Sequence, residues 1–329
     1  MPPISVTTGT ASDAQGADAH IGEHIRAHIR CDIDDRGVAT LTLHRPDKHN
    51  AFNAQTINQL LVTLKQLKGM IVPDDNSTLA HKPHDDTPPL RVLLLQASGK
   101  HFSAGADLGW MQSMVSATQE ENYQDAQQLA TLLHTLDTFP VPTVARVQGN
   151  AYGGAIGLLC CCDVVLATAS AQCCLSEVKI GLAPATISPY VCRTMGQRHA
   201  RRFMLTAEPI DSELALTTSL FHRVLPDEAS LDIAIQDTIT HLLRNSPDAM
   251  QISKSLCHLC SSTPLSEALR QETARIIAVV RASPQGQEGL NAFLNKRVAH
   301  WQNKPHRNDT SEDNSKANEQ SNHKDMDDE

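Results

Sequence analysis

Lys100-His-Phe-Ser-Ala-Gly-Ala-Asp-Leu-Gly-Trp110 is the stretch on which the reading of this chain turns. It follows the apolar run Leu90 to Gln96, which predicts a buried strand ending in a turn at Gly99. Four small residues in a row, Ser103, Ala104, Gly105 and Ala106, let a ligand come close to the backbone. A second stretch of the same kind, Gly149-Asn-Ala-Tyr-Gly-Gly-Ala-Ile-Gly157, follows the strand-like run Val144 to Gln148. Its Gly153-Gly154 pair stands where strand gives way to helix, and peptide N–H groups at a helix start are unpaired and lie in positive potential. Two loops that each aim one N–H at one oxygen predict an oxyanion hole built from separate segments. Taken alone, the same glycines could serve close helix–strand packing. Neither loop has the context of a dinucleotide-binding G-x-G-x-x-G, and no phosphate-cradling loop is present.

Working outward, Cys31 to His44 reads as a strand pair around Asp34-Asp-Arg-Gly37, and Asn53 or Ala54 opens a helix with Ile57, Leu60, Leu61 and Leu64 on one face. Thr118 to Phe139 reads as a long helix stopped by Pro140-Val-Pro142, and Asp163 to Ala167 as a further strand. The order strand, helix, strand, helix predicts an α/β architecture. Beyond Asp227 the patterns are helical only: Leu231–Leu243, Ala249–Leu259, Leu265–Arg281 and Gly286–His300. Residues 1–26 and 302–329 have the composition of disordered tails, and 74–89, with its prolines and acidic residues, reads as a surface insertion.

Composition narrows the function class. The chain has 329 residues, 40% of them apolar but only 3% aromatic, so aliphatic side chains must fill its core. A net charge of −9, with no basic stripe, argues against nucleic acid as a partner. No apolar run is long enough to span a membrane, and the N-terminus has no secretory-signal pattern. The nine cysteines are clustered rather than spaced as a disulfide framework, which points to core packing in a reducing, cytoplasmic setting. Cys257-His-Leu-Cys260 lacks a second ligand pair, so no metal is expected. Glu177, in the largely apolar Cys174-Leu-Ser-Glu-Val-Lys-Ile-Gly181, is the candidate acid–base group, because desolvation there would raise its pKa. A salt bridge to Lys179 or an exposed strand position is the alternative.

Phe102-Ser-Ala-Gly-Ala-Asp-Leu108, Gly149-Asn-Ala-Tyr-Gly-Gly154 and Ser176-Glu-Val-Lys-Ile-Gly-Leu-Ala-Pro184, in that order, resemble the crotonase (enoyl-CoA hydratase/isomerase) superfamily. Arg45-Pro-Asp-Lys-His-Asn-Ala51 resembles its early coenzyme A loop, and Gln285 to Arg297 its closing helix. The resemblance implies a crotonase-like spiral of ββα units over residues 27–227, then a C-terminal helical trimerisation region over 228–301, and a homo-oligomer (trimer or hexamer). It implies that Ala104 and Gly154 N–H groups hold a thioester oxygen, that Glu177 handles protons, and that Lys48, His49, Ala51, Gly105, Ala106 and Asp107 line the coenzyme A. It implies no cofactor beyond the coenzyme A that is part of the acyl-CoA substrate. Many hydratases of the family use two glutamates; the first would fall at Gly157. The wider string Leu175 to Tyr190 resembles bacterial methylglutaconyl-CoA hydratases of leucine degradation and the isohexenylglutaconyl-CoA enzyme of acyclic terpene breakdown, relatives that also tend to lack that first glutamate. Hydration of a 3-methylglutaconyl-CoA-type thioester is therefore the expected activity. The alternative is a Δ3,Δ2-enoyl-CoA isomerase, which can work with one glutamate.

Overall fold

The computed structural model describes residues 27–71 and 88–302; the expected N-terminal tail, most of the 74–89 insertion and nearly all of the acidic tail lie outside the described residues. Strands β1 (Ile29–Ile33) and β2 (Val38–Leu43) pair antiparallel. Their turn is held by the Asp34 carboxylate, which accepts from the Arg36 and Val38 N–H groups, and by Gly37 at φ +77°. Helix α1 (Ala54–Gly69) begins where the Asn53 side chain caps the Thr56 N–H. There follow β3 (Val92–Ala97), α2 (Leu108–Ser116), α3 (Gln119–Asp137), β4 (Thr143–Val147), β5 (Ala151–Tyr152), α4 (Gly154–Cys160), β6 (Val164–Thr168) and β7 (Cys173–Cys174). After a 3₁₀ turn at Glu177–Ile180 come α5 (Ser188–Thr206), α6 (Ser212–Thr217) and β8 (Arg223–Leu225). The chain then turns wholly helical, with α7 (Glu228–Leu243), α8 (Pro247–Ser262), α9 (Glu267–Ala282) and α10 (Pro284–Leu294) before a last 3₁₀ turn.

The main sheet has the order β1-β2-β3-β4-β6-β8, parallel except for β1 against β2. Both of its faces are covered, which is why β3 is a continuous apolar run rather than an alternating one. Leu93 and Leu95 join the large core with Leu60, Leu64 and Leu133, whereas Val92 and Leu94 pack with Ile235 and Ile239 of α7. The adjacent cysteines are free thiols in this interior; burial pushes that of Cys160 up to about 12.

The unit that repeats is a strand in the main sheet, a short extended segment, and a helix. The extended segments lie side by side as a second, smaller layer. Phe52 bridges Ala106, Ser103 bridges Ala151, β5 pairs with β7, and Cys173 bridges Ile210. This layer carries both small-residue loops. Polar contacts tie the C-terminal helices to the core: the Lys254 ammonium donates to Asp163 at 2.7 Å, and Arg146 pairs with Asp232 of α7 at 2.6 Å. No described helix is long and apolar enough to cross a membrane.

Only glycine lets the second loop start where it does, because a Cβ at Gly149 would lie 2.0 Å from the Lys100 carbonyl oxygen. Gly149→Ala should therefore destabilise the fold by about 1–3 kcal/mol, measured by denaturant unfolding, with the strain centred on the contact between the two loops. An unchanged midpoint would contradict this packing.

Candidate active site

The two loops meet as parallel extended segments. The Ser103 N–H donates to the Asn150 carbonyl and the Tyr152 N–H to the Ser103 carbonyl, both at 3.0 Å. Gly105 permits the close approach, since a Cβ there would sit 3.2 Å from the Tyr152 oxygen. On the other edge, Phe52 donates its N–H to the Gly105 carbonyl and accepts from the Asp107 N–H, each at 2.7 Å. This ladder consumes the polar groups on either side of Ala106 and turns the Ala106 N–H away from Phe52, toward the second loop. There the strand has ended: Gly153, at φ +54°, swings the chain into α4. Ala106 and Gly154 are the residues three places on from the Ser103–Ala151 bridge in their two segments. Neither the Ala106 nor the Gly154 N–H has a hydrogen-bond acceptor among the described residues. Two unpaired donors from separate segments can hold one oxyanion.

This geometry corrects the expectation for Ala104. Its N–H donates to the His49 carbonyl at 2.9 Å and is spent on the fold. The free N–H belongs to Ala106, two residues on, a residue that the resemblance assigns to the coenzyme A.

Glu177 opens the 3₁₀ turn that follows β7. Its Oε1 lies 3.4 Å from where a Gly153 Cβ would be, an ordinary contact distance that sets the carboxylate against the start of α4. Oε2 is buried without a hydrogen-bond partner. Burial raises the Glu177 pKa above its ordinary 4.5, opposed in part by a bond from its own backbone N–H. The alternative salt bridge with Lys179 is not formed among the described residues.

Gly157 lies one turn into α4, and a Cβ there would stand 2.4 Å from Ile187 Cγ2 and 3.1 Å from Leu133 Cδ2. Ile187 and Leu133 are buried, so the place where a second carboxylate would start is filled with hydrocarbon.

The early loop is built around a residue not singled out from sequence. Asn50 is only 2% exposed; its amide donates to the Ser98 and His101 carbonyls and its Oδ1 accepts from the Arg45 N–H. His49 and Asn50 both take left-handed backbone angles, φ 50° and 55°. Lys48 and His49 are exposed, while Ala51 is buried with its carbonyl accepting from Arg45. Asp107 is not free to meet a ligand. It caps α2 through the Gly109 and Trp110 N–H groups and pairs with Arg45 at 3.1 Å. Although burial opposes it, those bonds hold the Asp107 carboxyl below its usual range. Among the described residues no three His, Cys, Asp or Glu side chains converge as metal ligands would.

A layer of parallel loops on an α/β spiral thus leaves two N–H groups and one desolvated carboxylate, a set that can hold one ligand oxygen and move a proton. The sequence profile of the enoyl-CoA hydratase/isomerase family matches residues 75–304, and the chain belongs to that family. The crystal structure of an enoyl-CoA hydratase from Shewanella pealeana is 43% identical, covers 84% of this chain and 96% of its own, and superposes with a TM-score of 0.75. Pseudomonas aeruginosa AtuE is 31% identical over 84% of this chain and all of its own, with a TM-score of 0.75. A 2,3-dehydroadipyl-CoA hydratase from Escherichia coli is 29% identical over 79% of this chain and 93% of its own length.

Two outcomes follow from the site's packing. Because the folded pKa of Glu177 is raised, the native state binds its proton more tightly than the unfolded chain, and stability falls as pH climbs through that raised pKa. Glu177→Gln should thus raise the melting temperature at pH 8, with the gain shrinking toward the ordinary carboxylate value of 4.5; a loss of stability at pH 8 would contradict the assignment. Gly157→Ala should cost about 1–3 kcal/mol in chemical denaturation, because Ile187 must move.

Proposed function

We propose that this enzyme reversibly hydrates a 3-methylglutaconyl-CoA-type thioester to 3-hydroxy-3-methylglutaryl-CoA. The observation that carries the reading is the single buried Glu177 carboxylate, one oxygen of which has no partner, together with two unpaired N–H groups. The Ala106 and Gly154 N–H groups hold the thioester oxygen, so that negative charge reaching it as an enolate is met by donors already in place. Glu177 takes a proton from water as its oxygen bonds to Cβ and returns that proton to Cα, which balances the addition with one carboxylate. A methyl group on Cβ tolerates positive character there, which lessens the demand for a second base at Gly157. That a family relative is named for 2,3-dehydroadipyl-CoA supports a substrate with a carboxylate at its far end.

The coenzyme A portion of the substrate would run from the oxyanion donors past the exposed Ala104 to Lys48 and His49. The apolar groove of about 370 Å³ between α8 and α9, lined by Ile252, Leu256, Leu259, Ile276 and Val279, together with exposed Phe293 and Leu294, suits a homotrimer or hexamer.

A second reading, Δ3,Δ2-enoyl-CoA isomerisation, is favoured by the hydrocarbon seal at Gly157: one carboxylate can carry a proton between Cα and Cγ without bound water. Assay of 3-methylglutaconyl-CoA beside crotonyl-CoA, 3-methylcrotonyl-CoA and a 3-enoyl-CoA separates the two. Hydration of the first should lead. Glu177→Gln should lower its turnover by about 10²-fold or more with the fold intact; near-normal turnover would remove Glu177 from the chemistry.

A further inference from the structure

A line of hydrogen-bonded peptide groups runs from a cation to the first oxyanion donor. The Ala106 N–H and the Gly105 carbonyl belong to one planar peptide and point in opposite directions. That carbonyl accepts from the Phe52 N–H at 2.7 Å. The Phe52 N–H in turn shares its peptide with the Ala51 carbonyl, which accepts from Arg45 Nη1 at 2.7 Å. We propose that Arg45 is the positioning residue of the Ala106 donor, acting on it through the Ala51–Phe52 and Gly105–Ala106 peptides. The role rests on the reading of Ala106 as a donor to a thioester oxygen, and it serves hydration and isomerisation alike.

The donor peptide has little else to orient it. Gly105, at φ +87°, brings no side chain to the task. Helix α2 starts two residues after Ala106 and buries none of its own residues, so directed bonds and not apolar packing place the segment. Arg45 supplies two of them, from Nη1 to the Ala51 carbonyl and from Nη2 to Asp107 Oδ2 at 3.1 Å. These acceptors flank the Phe52–Ala106 bridge, one residue before Phe52 and one after Ala106. A planar, forked guanidinium that holds both fixes one segment against the other. The early loop fixes Arg45 itself: its N–H donates to Asn50 Oδ1 and its carbonyl accepts from the Asn50 N–H, both at 2.8 Å.

Charge adds to geometry. A cation on a carbonyl oxygen draws electron density along the amide, which makes the N–H of that peptide a stronger donor. In a line of such groups each bond strengthens the next. The Arg45 side chain is only 13% exposed, so water screens its charge weakly. Its pull therefore reaches the Ala106 N–H two peptides away. The Gly154 donor has a different source of support, because the carbonyl of its peptide, that of Gly153, accepts from the Ile156 N–H at 2.9 Å inside the start of α4.

Acetoacetyl-CoA bound to the full chain tests this without turnover. Its β-keto thioester ionises to an enolate with an ultraviolet absorption of its own, and donors at the thioester oxygen raise the enolate-to-keto ratio. Butyryl-CoA does not ionise in this way and reports binding alone. Arg45→Met should lower the bound ratio by about 10-fold while changing butyryl-CoA affinity by less than about threefold. Arg45→Lys, which keeps the charge without the fork, should fall between Arg45→Met and the unaltered enzyme, and it carries the comparison if Arg45→Met does not fold. Asp107→Asn, which leaves Arg45 on the Ala51 carbonyl, should hold the ratio within about threefold. An unchanged ratio with a lowered denaturation midpoint would make Arg45 a structural residue only. A fall in Asp107→Asn as large as that in Arg45→Met would assign the effect to the ion pair and not to the peptide line. Either result overturns the proposal. No enolate enrichment in the unaltered enzyme would instead remove the donor reading on which the proposal stands.

Discussion

The structure depends on the parallel pairing of Ser103–Ala106 with Phe52 on one edge and with β5 on the other. Each hydrogen bond in that small layer removes a backbone group from use, and what remains defines the site. Phe52 takes the groups that flank Ala106, the His49 carbonyl takes the Ala104 N–H, and Gly153 ends the second strand before it can pair with Ala106. The donors at Ala106 and Gly154 are thus left over from a ladder that is otherwise satisfied. Unpaired N–H groups are costly where they are buried, and a ligand oxygen relieves that cost. Asn50, Gly105 and Gly149 matter for the same reason: each permits or pins an approach that a larger or apolar residue would spoil.

The acid–base side of the site is as constrained as the oxyanion side. Packing of α5 on α4 places Ile187 where a second carboxylate would begin, so the single-glutamate arrangement is written into the core and not only into one glycine. Desolvation of Glu177 has two effects. It costs stability at neutral pH, and it brings the carboxylate toward the range in which it can both accept and return a proton. A functional group that the fold would be more stable without is a familiar mark of a working site.

Much of this was legible in the residues, and the failures are specific. Alternation over Val38–Leu43, the apolar run of β3 and the leucines of α3 announced themselves, because each pattern serves one face or two faces of a sheet. The glycine loops pointed to the two segments that carry the unpaired N–H groups, at Gly154 itself and two residues short of Ala106. The expectation falls on Ala104 and not on Ala106, because the choice depends on which N–H the distant His49 carbonyl takes. Helix α5 was not foreseen: Gly196 interrupts it at φ +72°, and four arginines dilute the stripe of Val191, Met195, Ala200 and Phe203. Helix α2 buries none of its residues, so it has no apolar stripe on a core to betray it. Asp107 looked like a ligand contact because its partners, Arg45 and the start of α2, come together only in three dimensions.

The central claim is that two backbone donors polarise a thioester carbonyl independently of Glu177. Isotope-edited vibrational spectroscopy of a bound enoyl-CoA, labelled with carbon-13 at the thioester carbonyl, measures that directly. The carbonyl stretch should move to lower frequency on binding, and by the same amount in Glu177→Gln, because the Ala106 and Gly154 N–H groups are unaffected. A bound carbonyl that keeps its solution frequency, or a shift that vanishes with the carboxylate, would contradict the account.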